Sequence, residues 1–198
     1  MKKILMMCAA LFAAVNMNAQ SAGEMYVKPM IGGTLSTITK TDADMKFGVV
    51  GGAEFGYNLS DNLALTAGAL FTMEGAKKDE SGIKSTTELS YLNVPLLLNY
   101  YVAPGFAVKA GIQPGFFLSQ ETKIEGGGQE IKVTGSDGLN KFDLSIPVGV
   151  SYEFSNFVID ARYNLGLLKI AKDDDHHYET SDGKNSFFML TIGYKINF

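Results

Sequence analysis

Strict alternation of apolar and polar residues is the feature of this sequence that most constrains its fold. In Phe142–Phe154 every second residue is apolar, whereas the residues between them are polar, small or charged. The same pattern fills residues 157–170 and the C-terminal residues 188–198. A period of two is typical of a β-strand with two chemically different faces. The pattern therefore predicts an all-β chain.

Five earlier segments alternate in the same way, though less regularly: residues 25–36, 46–59, 63–75, 88–102 and 106–120. The eight strands are long for a soluble sheet, but they match a bilayer, which about 9–11 tilted residues can cross. Beyond the N-terminal region, no apolar run approaches the roughly 18 residues of a transmembrane helix. A chain without such helices must cross lipid as a closed barrel, because lipid offers the backbone no hydrogen-bond partners.

The connections between the predicted strands alternate in length. Tight turns follow the second, fourth and sixth strands, at 60–62, 103–105 and 155–156. Longer polar segments follow the others, at 37–45, 76–87, 121–139 and 171–186. Short periplasmic turns and longer outer loops are typical of up-and-down membrane barrels. We therefore predict an eight-stranded antiparallel up-and-down transmembrane β-barrel.

Aromatic residues cluster at the short-turn ends of these strands: Tyr26, Tyr57, Tyr100, Tyr152, Phe154, Phe157, Tyr194 and Phe198. Tyr and Trp are enriched where lipid meets water, and membrane barrels carry aromatic girdles at both boundaries. The sequence has no Trp, so Tyr and Phe would provide all of this anchoring.

The N-terminus has the order of a secretory signal peptide. Lys2 and Lys3 precede an apolar stretch at 4–15, and the small residue Ala19 follows at the expected cleavage point. We predict a signal peptide at residues 1–19 and a barrel domain at residues 20–198. The only cysteine, Cys8, lies inside the apolar stretch, so a cleaved chain would have neither a disulfide nor a thiolate metal site.

The C-terminus carries an alternating set, Tyr194, Ile196 and Phe198, that ends on an aromatic residue. It resembles the signal read by the machinery that assembles outer-membrane barrels. The expected location is therefore the bacterial outer membrane, with lipid and lipopolysaccharide as surroundings and the assembly machinery as a transient partner. The chain has 17 basic and 21 acidic residues, and this acidity argues against nucleic acid as a partner.

If the apolar faces contact lipid, the opposite faces line the interior. The charged residues on those faces are Lys28, Glu54, Glu74, Lys109, Asp143, Glu153, Asp160, Arg162 and Lys195. An eight-stranded barrel has room inside only for side chains, where paired charges are tolerable and isolated ones are costly. The near-balance of sign predicts a closed interior held by an ion-pair network.

Two consecutive predicted strands carry a family resemblance. Residues 91–100 read YLNVPLLLNY and residues 109–119 read KAGIQPGFFLS. They resemble the strands YLxxPLLLxY and KAGxxxGxxLS of the PorT-like outer-membrane β-barrel family of Bacteroidetes, which are barrels of the OmpA and OmpX type. Asn99 stands where a basic residue is common in that family. The resemblance implies an outer-membrane barrel without catalytic residues or a cofactor. One family member is linked to gliding and type IX secretion, so an envelope or secretion partner is expected by analogy.

One loop carries a conspicuous cluster, with Asp174, Asp175, His176 and His177 in succession. Carboxylates beside imidazoles are able to bind divalent metals, although adjacent histidines in a loop do not preset a tetrahedral zinc site. A solvated acidic loop is the plainer interpretation. A membrane hydrolase would need one of these histidines near Ser181 or Ser186, together with a third orienting group.

Two further interpretations remain open from the sequence. A soluble periplasmic barrel of the lipocalin type is also eight-stranded, but it would place its apolar residues inside. A narrow ion-conducting barrel would need a continuous polar path through the interior.

Overall fold

The computed structural model describes residues 21–39, 44–80, 83–126, 129–135, 140–169 and 183–198. The predicted signal peptide lies outside these residues. The described residues form eleven β-strands: β1 Met25–Ile38, β2 Asp44–Ser60, β3 Leu63–Glu80, β4 Ile83–Asn93, β5 Leu96–Ala103, β6 Phe106–Gly126, β7 Gln129–Thr134, β8 Phe142–Phe154, β9 Phe157–Gly166, β10 Asn185–Tyr194 and β11 Ile196–Asn197. No helix among the described residues is long and apolar enough to cross a membrane.

The strands close into a ring in which every neighbouring pair is antiparallel. The order runs β10, β9, β8, β6, β4, β3, β2, β1, and β1 then pairs back with both β10 and β11. β4 and β5 are two parts of one wall strand, and so are β10 and β11. The wall therefore has eight strands. The remaining strand, β7, pairs with β6 beyond the wall. The predicted eight-stranded up-and-down barrel is confirmed.

Two wall strands are interrupted where the sequence predicted continuity. The predicted fourth strand breaks at Val94 and Pro95, because proline has no N–H to donate to a neighbouring strand. The Val94 amide donates to Pro114 and the Gly68 amide donates to Pro95, at 2.8 and 3.0 Å, so the wall stays joined across the break. The last strand breaks at Lys195, whose amide donates to Asn156 across a short turn at 2.7 Å.

Two predicted outer loops are instead largely strand. β3 continues to Glu80 and β4 begins at Ile83, while β6 continues to Gly126 and returns as β7. Residues 83–88, 121–126 and 129–134 contain several β-branched residues, which favour strands, but the polarity of these segments concealed the alternation. Residues 76–80, 83–88, 121–126 and 129–134 thus form a four-stranded extension, which we call the protruding sheet.

The apolar residues of the alternating pattern point out of the barrel. Each of the eight wall strands exposes large apolar side chains, for example Ile31, Val49, Leu65, Leu98, Ile112, Val148, Ile159 and Leu190. Ile31 is 67% exposed and Leu190 is 51% exposed. So large an exposed apolar surface is unfavourable in water, since burial of apolar area is worth about 25 cal/mol per Å². A soluble lipocalin-type barrel requires the reverse arrangement, so this wall is built to contact lipid.

Aromatic side chains form a connected band at the short-turn end. Phe157 lies 5.7 Å from Phe154 and 5.2 Å from Tyr194 between ring centroids, and Tyr152 stacks on Phe154 at 6.3 Å. Tyr26 departs from the predicted girdle: its side chain points into the barrel and is only 4% exposed. Tyr26 lies on the inward face of β1 together with Lys28. The sequence prediction assigned it to the girdle because it is aromatic.

Gly48 permits an irregular junction between β1, β2 and β3. The pairing of β2 with β3 shifts between Met45 and Val50. There the Thr34 hydroxyl of β1 reaches past Gly48 and donates to the Met73 carbonyl of β3 at 2.7 Å. A Cβ at Gly48 would overlap both the Met73 carbonyl and the Thr34 hydroxyl.

We therefore expect Gly48→Ala to destabilise the barrel by about 1–3 kcal/mol, the usual range for overpacking. Gly51→Ala is the matched control, because its added Cβ would point outward with its nearest heavy atom 3.9 Å away. Urea unfolding in detergent micelles would compare the two variants with the wild type. Equal midpoints for the two variants would contradict the steric role of Gly48.

Candidate functional site in the barrel interior

Five of the predicted interior charges meet in one place, which we call the central ionic cluster. Lys28 of β1, Glu54 of β2, Lys109 of β6 and Asp160 and Arg162 of β9 are all buried. Each lies on the inward face of its strand, so strand alternation alone directs these side chains to the barrel axis. The structure thus places side chains from four wall strands against one another.

The contacts within the central ionic cluster are direct. Arg162 donates to both oxygens of Asp160, at 2.6 and 2.8 Å, and its Nη1 lies 2.5 Å from Oε1 of Glu54. The Lys28 ammonium lies 2.8 Å from Oε2 of Glu54 and 3.6 Å from Oδ2 of Asp160. Lys109 also donates to Asp160. Three cations therefore share two carboxylates, and each charge has at least one opposite partner.

A second polar group lies toward the short-turn end. Lys195 donates to both oxygens of Glu153, at 3.1 and 3.2 Å, and Tyr101 donates to the same carboxylate at 3.4 Å. The Lys195 ammonium also lies 4.3 Å from the centre of the Tyr26 ring, a cation–π distance. The inward turn of Tyr26 thus gives Lys195 a second favourable contact.

The remaining two predicted charges do not join the cations. Glu74 of β3 accepts hydrogen bonds from Thr72 at 2.6 Å, from Asn93 at 3.0 Å and from Asn185. Asp143 of β8 accepts from the Leu144 amide at 2.7 Å. Among the described contacts neither carboxylate has an ion pair, so the predicted single network is wrong for these two residues. Neutral amides and a hydroxyl hold Glu74 instead.

A group of apolar residues on the inward faces of β1, β2, β3 and β10 interrupts the polar interior, and we call it the apolar layer. Its members are buried and in contact: Met30, Val50, Leu70, Phe187 and Met189. On β3, Leu70 precedes Thr72 and Glu74 on the same face, and on β10 Met189 lies in register with Arg162. The sequence prediction of a wholly polar interior missed this layer. Its residues occupy inward positions. The prediction missed them because it assigned apolar residues to the lipid face.

The described interior therefore contains four groups of side chains: the Lys195 pair, the central ionic cluster, the apolar layer and the Glu74 group.

The other candidate residues fall outside the interior. Tyr194, Ile196 and Phe198 are exposed on the outer face at the short-turn end, and the Phe198 amide donates to Met25 at 3.0 Å. His176, His177, Asp174, Asp175 and Ser181 lie outside the described residues, and Ser186 is buried on β10. In the part of the chain that is described, no three His, Cys, Asp or Glu side chains converge to hold a metal ion.

Asp160→Asn should destabilise the barrel by about 3–5 kcal/mol, because it leaves three buried cations with Glu54 as the only anion of the cluster. Glu121→Gln is the control: Glu121 pairs with Lys123 at 3.4 Å, but both side chains are more than 40% exposed, so about 1 kcal/mol or less is expected. Guanidinium unfolding in micelles measures both. A loss below about 1 kcal/mol for Asp160→Asn would contradict a structural role for the cluster.

The barrel fold recurs in solved outer-membrane proteins. Ail, the attachment invasion locus protein of Yersinia pestis, has a TM-score of 0.50 and 17% identity, covering 88% of this chain and 99% of that chain. Its complex with the heparin analogue sucrose octasulfate gives 0.51 and 18% over the same shares. Neisserial surface protein A gives 0.51 and 14%, covering 87% of this chain and 97% of that chain. These likenesses concern the fold alone.

Sequence comparison identifies the family to which the chain belongs. No curated protein sequence matches the chain. The model of the family described as "Outer membrane protein beta-barrel domain" matches residues 13–172. This match covers most of the chain and agrees with the lipid-facing wall. The protein belongs to the outer membrane protein beta-barrel domain family and is a small β-barrel of the outer membrane.

Proposed function

We propose that this barrel is a non-conducting anchor that presents the protruding sheet to a protein partner outside the membrane. The observation that carries the proposal is the contrast between the two ends of the molecule. Paired charges and the apolar layer occupy inward positions of the barrel, whereas the strands at one end continue past the wall. The proposal includes no catalytic step.

The extension is a substantial part of β6. This strand pairs with β8 as far as Phe116, which lies opposite Phe142 and contacts its ring at 5.8 Å. Residues 121–126 belong to the protruding sheet, and at about 3.3 Å per residue they add roughly 20 Å of strand. The long connections of membrane barrels face outward, so we place the protruding sheet on the external side.

Among the described strands, the protruding sheet ends at β7. β6 pairs with β4 on one side and with β7 on the other. β7 pairs with no other described strand, and its residues 131–134 are all exposed. An edge strand presents backbone donors and acceptors that a partner strand is able to pair with. An accessory role in envelope assembly or secretion, which the PorT-like resemblance implies, would use this edge for an envelope protein.

If the interior is closed, the reconstituted protein should give no stable conductance. Planar bilayers containing the purified full chain in about 1 M KCl would be recorded at potentials of either sign, with a known porin as the positive control. Steady single-channel steps would overturn the non-conducting part of the proposal and favour the narrow ion-conducting alternative.

Contact at the edge can be tested in cells by photo-crosslinking. A photoreactive amino acid at Val133 of β7 should give an adduct of discrete mass whose protein component is the same in repeated preparations. The same probe at Leu190, which is exposed on the lipid-facing wall, is the control and should give no such adduct. Identical adducts at both positions, or none at Val133, would contradict a binding role for the edge.

A further inference from the structure

Two acidic side chains at the outer end of the barrel interior contact no cation in the described part of the chain. The hydrogen bonds to Glu74 of β3, which is 1% exposed, come from a hydroxyl and two side-chain amides. Asp143 of β8 accepts from a backbone amide. Lys46, the buried lysine of the neighbouring strand β2, contacts Glu88 at 2.9 Å instead. Buried charge without an opposite charge is costly, and a bound cation would neutralise this pair of carboxylates.

Gly115 of β6 leaves a space on the inward face between the residues that carry these charges. It pairs with Asn93 of β4 on one side and with Asp143 of β8 on the other. A Cβ at Gly115 would lie 2.5 Å from Oδ1 of Asn93 and 3.5 Å from Cβ of Asp143. The side-chain nitrogen of Asn93 in turn donates to Glu74 at 3.0 Å. Asn93 therefore joins the two carboxylates, and its oxygen borders the space beside Asp143.

A buried amide oxygen without a partner lies at the same group. Asn185 of β10 is 1% exposed, and its Nδ2 donates to Oε2 of Glu74. Its Oδ1 is buried and has no hydrogen-bond partner among the residues that the structure describes. Buried polar atoms nearly always have partners. An amide oxygen offers lone pairs and no proton, so the partner that Asn185 lacks is a donor or a cation.

The exposed rings of Phe116 and Phe142 lie level with this group. Phe116 follows Gly115, Phe142 precedes Asp143, and the two rings are more than 40% exposed and 5.8 Å apart. Aromatic girdles mark the boundaries between lipid and water in membrane barrels. Asp143 is itself partly exposed. A cation from the external water would therefore reach the carboxylates without crossing the apolar core of the bilayer.

We propose a Ca²⁺ site at the outer end of the barrel interior, formed by Glu74, Asp143, Asn93 and Asn185. Two of these ligands are carboxylates, which balance the charge of a divalent cation, and the other two are amide oxygens. Ca²⁺ binds oxygen ligands in flexible geometry, whereas Mg²⁺ demands a nearly ideal octahedron. The site takes one residue from each of β3, β4, β8 and β10, so the ion joins four wall strands at the base of the protruding sheet. The site is independent of the protein partner proposed above.

Binding is measured on the full chain, refolded without lipopolysaccharide in uncharged detergent micelles and freed of metal with EGTA. Equilibrium dialysis against radioactive Ca²⁺ gives the number of ions bound and the Kd. We expect Asp143→Asn and Glu74→Gln each to weaken the binding of one Ca²⁺ by at least about tenfold, because the charge of the ligands sets Ca²⁺ affinity. Glu121→Gln removes an exposed carboxylate at the same end and should change the Kd by less than about twofold.

Gly115→Ala tests the space itself, because it keeps all four ligands. Its added Cβ would overlap Oδ1 of Asn93, so it should weaken Ca²⁺ binding about as much as the loss of one carboxylate. Gly51→Ala is the matched control, since its Cβ would have its nearest heavy atom 3.9 Å away, and it should leave the Kd unchanged. Retained heat-modifiable migration in SDS gels shows that each variant is folded.

The loss of one bound Ca²⁺ in the folded site variants, with both controls unchanged, would support the site. If the wild type binds no Ca²⁺ up to about 10 mM, beyond the range of weak extracellular sites, water and protons satisfy these groups and the proposal is overturned. Binding that persists at wild-type affinity in both Asp143→Asn and Glu74→Gln would place the ion elsewhere on the chain, which also overturns it.

Discussion

Backbone hydrogen bonding in lipid is the constraint on which the rest of this structure depends. Within a bilayer no water is present to pair with exposed N–H and C=O groups, so a β-sheet can cross only as a closed ring. Closure here is made by β1, which pairs with β10 and β11. Once the ring is closed, alternation fixes every side chain either toward lipid or toward the axis. Inward charges such as Asp160 must then find their partners inside the protein.

The interior meets this requirement with small groups of paired charges. Arg162 has a planar fork of donors that suits a bidentate contact with Asp160 while it also reaches Glu54. Apolar layer residues such as Leu70 occupy neighbouring inward positions, where further charges would need further partners. Gly48 removes side-chain volume where Thr34 must pass to reach β3. Pairing and packing together stabilise the side chains that point into the barrel.

Sequence reasoning recovered the fold because a period of two reports directly which face a residue occupies. It placed Lys28, Glu54 and Arg162 inside for the same reason. It failed for Glu74, which contacts amides instead of cations. Alternation shows that this side chain points inward, but it does not show the position of the side chain along the barrel axis or around it. It also missed the apolar layer, since Met189 has the character of a lipid-facing residue although it is in phase with the inward residues Thr191 and Lys195.

The same constraint limits where the proposed binding edge can lie. An unpaired strand edge inside lipid would cost several kcal/mol for each unsatisfied group, so the membrane part of the chain cannot offer one. Outside the membrane, water is present to pair with unpaired backbone groups, and an edge strand costs little. A partner strand of the kind proposed would displace that water and pair with the β7 backbone. The proposed recognition by strand pairing is therefore possible only in the part of this molecule that lies beyond the lipid.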